Sequence, residues 1–220
     1  MKFRSVFDII GPVMIGPSSS HTAGAARIGR VARHLFQKEP EWAMIHYYGS
    51  FAKTHQGHGT DVAIVGGLLG YETYDDRIPS ALAVAEEKQV EIKFIEEEAQ
   101  TDDPNTVKIR LGYGEDEMEL VGVSVGGGKV EIKELNGFAL RLSGNHPAIL
   151  VVHNDRYGAI ASVSTALANE EINIGHMEVS RKEKGEQALM VIEVDQNVGD
   201  DVLEQLQQLD TVEKVTKIHD

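Results

Sequence analysis

Residues 148–220 run through two hydrophobic periods in a set order, and that order restricts the fold more than any other feature of the chain. Residues 148–153 form a short apolar run that ends at the turn residues Asn154 and Asp155, which predicts a buried strand. Over 158–169, Ile160, Val163, Ser164 and Leu167 recur at helical spacing, with Asn169 as a stop. Residues 172–180 and 187–194 read as strands joined by a charged hairpin turn, 182–186, that contains Gly185. Val202, Leu203, Leu206 and Leu209 mark an amphipathic helix, and 212–218 alternates as a last strand. The order β-α-β-β-α-β predicts a ferredoxin-like split β-α-β unit, with two helices on one face of an antiparallel sheet.

The first ~147 residues mix their periods. A strand is expected over 42–48, an apolar helix over 60–69, a helix over 79–88 with proline in its first turn, and a strand over 90–95. After the turn at 101–105 come strands over 107–111, 119–125, 130–134 and 138–142, with Gly126-Gly127-Gly128 reversing the chain. The class is therefore α+β: an N-terminal mixed α/β domain over 1–145, then the βαββαβ domain over 148–220, with the boundary in 143–147.

Lys plus Arg number 21 against 35 Asp plus Glu, a net charge of −14. Split at Pro147, the counts are 15 − 21 = −6 and 6 − 14 = −8, so neither half is basic and nucleic acid is not an expected partner. With 41% hydrophobic residues the chain is not intrinsically disordered. Residues 1–8 lack the apolar stretch of a signal peptide and nowhere do ~18 apolar residues run together, so a cytoplasmic protein is expected. The chain has no cysteine, hence no disulfide, thiolate nucleophile, zinc knuckle or iron–sulfur ligation of its own. Any such cofactor must belong to a partner.

The segment that carries chemistry is Gly16-Pro17-Ser18-Ser19-Ser20-His21-Thr22-Ala23-Gly24. Beyond it Ala25, Ile28, Ala32, Leu35 and Phe36 share one helical face, so a helix is expected to begin near His21, with the serines at the N-cap. One hydroxyl satisfies a cap. Three serines, an imidazole and a threonine leave polar groups in excess, and at a helix N-terminus they suit a small carboxylate or phosphate. His21 can also move a proton near neutral pH. The plainer alternative is a serine-rich loop that only caps a helix, and no P-loop pattern is present.

This motif closely resembles the signature of the iron–sulfur-dependent L-serine dehydratases, in the part that forms the β subunit of two-chain bacterial enzymes. Gly49-Ser50-Phe51-Ala52-Lys53-Thr54 with Gly57-His58-Gly59-Thr60-Asp61 is a second match. His153 to Ile160 followed by Glu171-Ile172-Asn173-Ile174 resembles an ACT domain, a small-molecule-sensing module. Together these resemblances cover essentially the whole chain, and relate its N-terminal part to the allosteric substrate-binding domain of some 3-phosphoglycerate dehydrogenases.

The resemblance implies a partner α subunit whose cysteines hold a 4Fe–4S cluster, with no cluster on this chain. It implies conversion of L-serine, through aminoacrylate, to pyruvate and ammonia, the cluster acting as Lewis acid on the leaving hydroxyl while a base takes the α-proton. Ser18, Ser19, Ser20 and Thr22 would grip the carboxylate. His21 and Ser20 would serve catalysis, and His58, Thr60 and Asp61 would form a second substrate-binding cluster in which Thr60 caps a helix. An acid at Asp61 also suits a helix's first turn without any ligand. The ACT loop residues Asn154, Asp155 and Gly158 would bind an effector or serve only a homodimer interface.

The pair His55-x-x-His58 lacks a third ligand at metal-site spacing. Arg27, Arg30 and Arg33 recur every three residues, either as a solvated face or as a contact for an acidic partner. His146, His153, His176 and His219 are scattered. A different class of reading is a free-standing serine sensor without catalytic activity. A purely structural dimerisation protein leaves the serine cluster without a role.

Overall fold

The computed structural model describes residues 12–144 and 146–218. Residues 1–8, Asn145 of the expected linker and His219 lie outside them. By contacts the chain divides into two compact units, Met1–Asn136 and Gly137–Asp220.

In the first unit a single π-helical turn, Ser19–Ala23, runs into α1 (Gly24–Phe36). There follow β1 (Trp42–Tyr47), α2 (Gly49–Thr54), α3 (Thr60–Leu68), a 3-10 turn Ile78–Ser80, α4 (Ala81–Glu87), β2 (Glu91–Glu96), β3 (Thr106–Tyr113), β4 (Asp116–Gly126) and β5 (Lys129–Leu135). These strands lie in the order β2-β1-β3-β4-β5. β1 runs parallel to β2 and the other pairs are antiparallel, which makes the sheet mixed.

Alternation decides which strand face is covered. Ala43, Ile45 and Tyr47 of β1 are fully buried, as are Ile109 and Leu111 of β3. α1 buries Ala25, Ile28, Ala32 and Leu35, and α3 is apolar and buried from Ala63 through Leu68, as a helix covered on all sides must be. Each such Ile or Leu contributes about 2 kcal/mol by leaving water.

The two helices cross in backbone contact. A Cβ on Gly29 would stand 2.2 Å from the Ile64 carbonyl oxygen, and one on Gly67 would stand 2.1 Å from that of Ala26. Both helices start at the same end, where the Thr22 hydroxyl donates to the His58 carbonyl at 3.1 Å.

The second unit contains β6 (Phe138–Leu142), β7 (Ala148–Asn154), α5 (Ala159–Asn169), β8 (Ile174–Arg181), β9 (Gln187–Val194), α6 (Asp200–Gln207) and β10 (Val212–Ile218). β10-β7-β9-β8 form an antiparallel sheet, and Ile149, Val151, Met190 and Ile192 meet Val163, Leu167, Val202 and Leu206 of the two helices. This is the expected βαββαβ unit, and β9 and β10 occupy the residues expected for them. β6 reaches β8 through the Arg141 N–H, which donates to the Glu178 carboxylate at 3.1 Å.

Three local expectations are corrected. The α-helix proper starts at Gly24 rather than near His21, because the turn before it is wide: the Ala23 N–H reaches the Ser18 carbonyl at 3.3 Å. Thr60 does not cap α3. The cap position is Gly59, at φ 66°, and Thr60 is the first helical residue. Residues 49–54, read only as a motif, form the short helix α2. Among the described residues no helix is long and apolar enough to cross a membrane.

Candidate functional site

Ser18, at φ −139°, caps the π-helical turn, its hydroxyl accepting from the His21 N–H at 3.1 Å. The same hydroxyl lies 3.3 Å from His21 Nδ1, while Nε2 lies 3.0 Å from the hydroxyl of Ser50 on α2. Because a hydroxyl both donates and accepts, this bracket holds a neutral imidazole in either tautomer. Burial and the neighbouring His58 lower the His21 pKa below its ordinary 6.5. The ring stands edge-on to Phe51, with centroids 5.3 Å apart, and 4.8 Å from the ring of His58.

Gly16 lets the chain turn into this motif at φ 121°. A Cβ there would fall 2.3 Å from Thr22 Cγ2, so the motif's first glycine is needed for conformation and for space. Ser19 and Ser20 are half-buried, with Ser20 beside the Gly126 turn. Among the described residues, the buried polar atoms without a hydrogen-bond partner include His58 Nδ1, Thr60 Oγ1 and Ser124 Oγ. Ser124 adjoins Gly24 at the start of α1. Thus the structure gathers Ser18, His21, Thr22 and His58 where two helices begin, and adds Ser50, which residue pattern alone did not single out.

Asp61 is directed elsewhere. Its carboxylate accepts from His55 Nδ1 at 2.7 Å, and His55 Nε2 lies 3.0 Å from a Glu96 carboxylate oxygen. Burial works against charge on His55, but the hydrogen bonds its ring donates to Glu96 and Asp61, with the negative charges of both, outweigh it and raise the pKa above 6.5. The His55 ring lies over Tyr47, whose pKa burial and then Asp61 push well above its usual value. On the far side a 920 Å³ cleft opens, lined by Lys53, His55, Glu96, Glu97, Glu98 and Asp102. The two imidazoles of His55-x-x-His58 thus go to different partners.

Two arginines of the row, Arg27 and Arg30, are used within the chain. Arg30 pairs with Glu72 at 2.5 Å, and Arg27 donates to the Gly128 carbonyl at 3.1 Å. Of the scattered histidines, His153 is buried and contacts the Asn154 carbonyl, whereas His146 and His176 are exposed.

In the second unit the Asn154 N–H donates to the Thr211 carbonyl at 2.9 Å, and Gly158 stands at φ 88° as the cap position of α5. The Asp155 carboxylate accepts from the Gly185 N–H at 2.9 Å and from Arg181 at 3.1 Å. The backbone bond to Gly185, followed by Arg181, holds its pKa below the usual carboxylate value. Asp155 therefore fastens the β8–β9 hairpin turn.

Residues 5–89 match the family described as serine dehydratase beta chain, and residues 148–211 match the ACT domain. A protein of Bacillus subtilis (strain 168) named probable L-serine dehydratase, beta chain, is 63% identical over 220 residues, the full length of both chains. The chain belongs to the L-serine dehydratase beta-chain family. The L-serine dehydratase beta chain of Peptoniphilus asaccharolyticus is 38% identical over 199 residues, 89% of each chain. A D-3-phosphoglycerate dehydrogenase of Bacillus subtilis is 23% identical over 88% of this chain but 37% of that protein.

Proposed function

We propose that this chain is the β subunit of a two-chain iron–sulfur L-serine dehydratase, which converts L-serine to pyruvate and ammonia in the cytoplasm. The observation that carries the reading is the meeting of two helix N-termini at Ser18, His21, Thr22 and His58. Both dipoles present their positive ends there, and a substrate carboxylate is what such a place favours. Ser18, Ser19 and Ser20 supply hydroxyls for that carboxylate, whereas the buried Thr22 hydroxyl gives its one proton to the His58 carbonyl and ties the two helix starts together instead. His21, neutral and bracketed by two hydroxyls, is placed to accept or return a proton. His58 and Thr60 bring the buried, unpartnered atoms that a bound substrate or an ordered water would satisfy, and Asp61 acts through His55.

The donor set of this chain does not fit an iron–sulfur cluster, since it contains no cysteine. The 4Fe–4S cluster is assigned to a cysteine-bearing α subunit, where it would supply Lewis-acid assistance to the departing hydroxyl. The modules 1–145 and 148–220 divide the work: the first binds substrate and the second, the ACT domain, serves homodimer formation or regulation through Asn154, Asp155 and Gly158.

The test is anaerobic purification of the chain with its partner, followed by assay of pyruvate from L-serine. A brown complex that makes pyruvate, beside an inactive free chain, supports the split enzyme; a colourless chain that binds serine with no cysteine-rich partner makes it a sensor instead. In the complex, Ser20→Ala removes one hydroxyl from a charged ligand, worth about 1.5–3 kcal/mol, and is expected to lower kcat/KM roughly tenfold to a hundredfold. An unchanged kcat/KM takes Ser20 out of the site. Asp155→Asn is expected to speed amide hydrogen exchange at Gly185 and to alter the response of rate to serine concentration. If exchange rises and the rate response does not change, the loop is structural.

A further inference from the structure

The Gly57–Gly59 segment that carries His58 is short and glycine-rich, yet it holds the His58 ring beside His21. Its backbone is tied by the His58 N–H to the Thr54 carbonyl at 3.1 Å and by the Thr60 N–H to the His55 carbonyl at 3.0 Å. The second tie is to His55 itself, and the first is to the residue before it. His55 is 4% exposed, and its two ring nitrogens reach a different element each: Nδ1 to Asp61 on α3 at 2.7 Å, Nε2 to Glu96 at the end of β2 at 3.0 Å.

Carboxylate oxygens only accept, and a neutral imidazole carries one N–H, so only the doubly protonated ring satisfies both bonds. Facing the same ring are Tyr47 of β1, with centroids 4.7 Å apart, and Phe94 of β2, at 6.4 Å. Lys53, Glu97, Glu98 and Asp102 line the cleft beyond it.

We propose that His55, as an imidazolium clamped between Asp61 and Glu96, is a positioning residue for the substrate site: it braces α3 against β2 and so fixes the loop that sets His58 beside His21. The inference rests on the assignment of that site to serine turnover, and extends it to a residue that touches neither substrate nor the reacting atoms. It also gives the site an alkaline limit. When the ring loses its second proton, one carboxylate faces a lone pair, that arm opens, and the His58 loop loosens.

Two measurements separate the clamp from the reading it rests on. Ring-nitrogen NMR of the free full-length chain, labelled at histidine, tests the clamp without activity. Expected is a His55 ring protonated on both nitrogens at neutral pH, with the His58 resonances moving as His55 titrates above pH 6.5. A His55 ring that is singly protonated at pH 6, or a His58 that ignores its titration, overturns the clamp.

In the reconstituted complex, His55→Gln keeps a donor but loses the charge and one arm. It is expected to lower kcat/KM about tenfold and to remove the alkaline inflection of the wild-type profile. Glu96→Gln changes only the arm at the cleft mouth, where a side chain 63% exposed leaves folding untouched, and is expected to move that inflection to lower pH. Wild-type kinetics with an unshifted profile in both variants overturns the positioning role. If the wild-type complex turns over no serine while the NMR result holds, the clamp stands and the functional reading fails.

Discussion

In the assembled enzyme, His21→Ala is expected to lower kcat by about 10²–10⁴-fold, the usual contribution of a general acid–base group. The expectation follows from position and protonation state together. Burial and His58 depress the pKa of the ring, so the neutral form persists through pH 6.5 and is lost only as pH falls below that value. Activity that needs a proton acceptor at His21 is therefore present above the depressed pKa and fades on its acid side. The wild-type kcat/KM profile should show an acid limb with an inflection under 6.5, and His21→Ala should lack it. A variant that keeps both kcat and the acid limb places proton transfer on another residue.

Gly67→Ala is expected to give the largest loss of stability of any single methyl addition in the first unit. Alanine gains about 1 kcal/mol over glycine in a helix interior. Against that, the new Cβ would lie 2.1 Å from the Ala26 carbonyl oxygen and 2.7 Å from the Arg30 nitrogen, both backbone atoms of α1. Backbone cannot rotate aside, so the helices must part, and overpacking of this kind costs about 3 kcal/mol. The net loss of about 2 kcal/mol corresponds to a fall in Tm of roughly 4–8 °C. Gly66→Ala is the internal control, because its nearest neighbour is the end of the Ile78 side chain at 3.3 Å. Equal melting temperatures for the two variants would show that α1 and α3 are not in backbone contact.

These two residues mark how far the site can be read from the chain. The serines, His21 and Thr22 are contiguous, and their surplus of polar groups at a helix start is visible in order. That His58 arrives beside them is not visible, because its arrival depends on the parallel crossing of α1 and α3. The cause of that crossing is two missing side chains, Gly29 and Gly67, which in sequence read as weak points in helices. The His55 clamp is hidden for another reason: Glu96 lies 41 residues from His55, and the two meet only because β2 pairs with β1.

The fold follows the same division. β9 and β10 are readable to the residue, β9 as a near-continuous apolar run after a charged turn and β10 from its alternation. The six-residue α2 was not, because a helix that short is set by tertiary contacts such as the burial of Phe51 and the bond from the Ser50 N–H to the Pro104 carbonyl.

The wide turn at Ser19–Ala23 has a consequence for how this motif tolerates change. One residue more than an α-helical turn inserts a phase shift of about 100° between the side chains before it and those after it. The hydrophobic stripe of α1 can thus stay locked on α3 while His21 is turned to Ser50 and His58. Losing a single residue there would keep every chemical group except one, yet rotate the remainder out of alignment. Spacing within the motif is therefore under tighter physical constraint than the identity of any one of its serines.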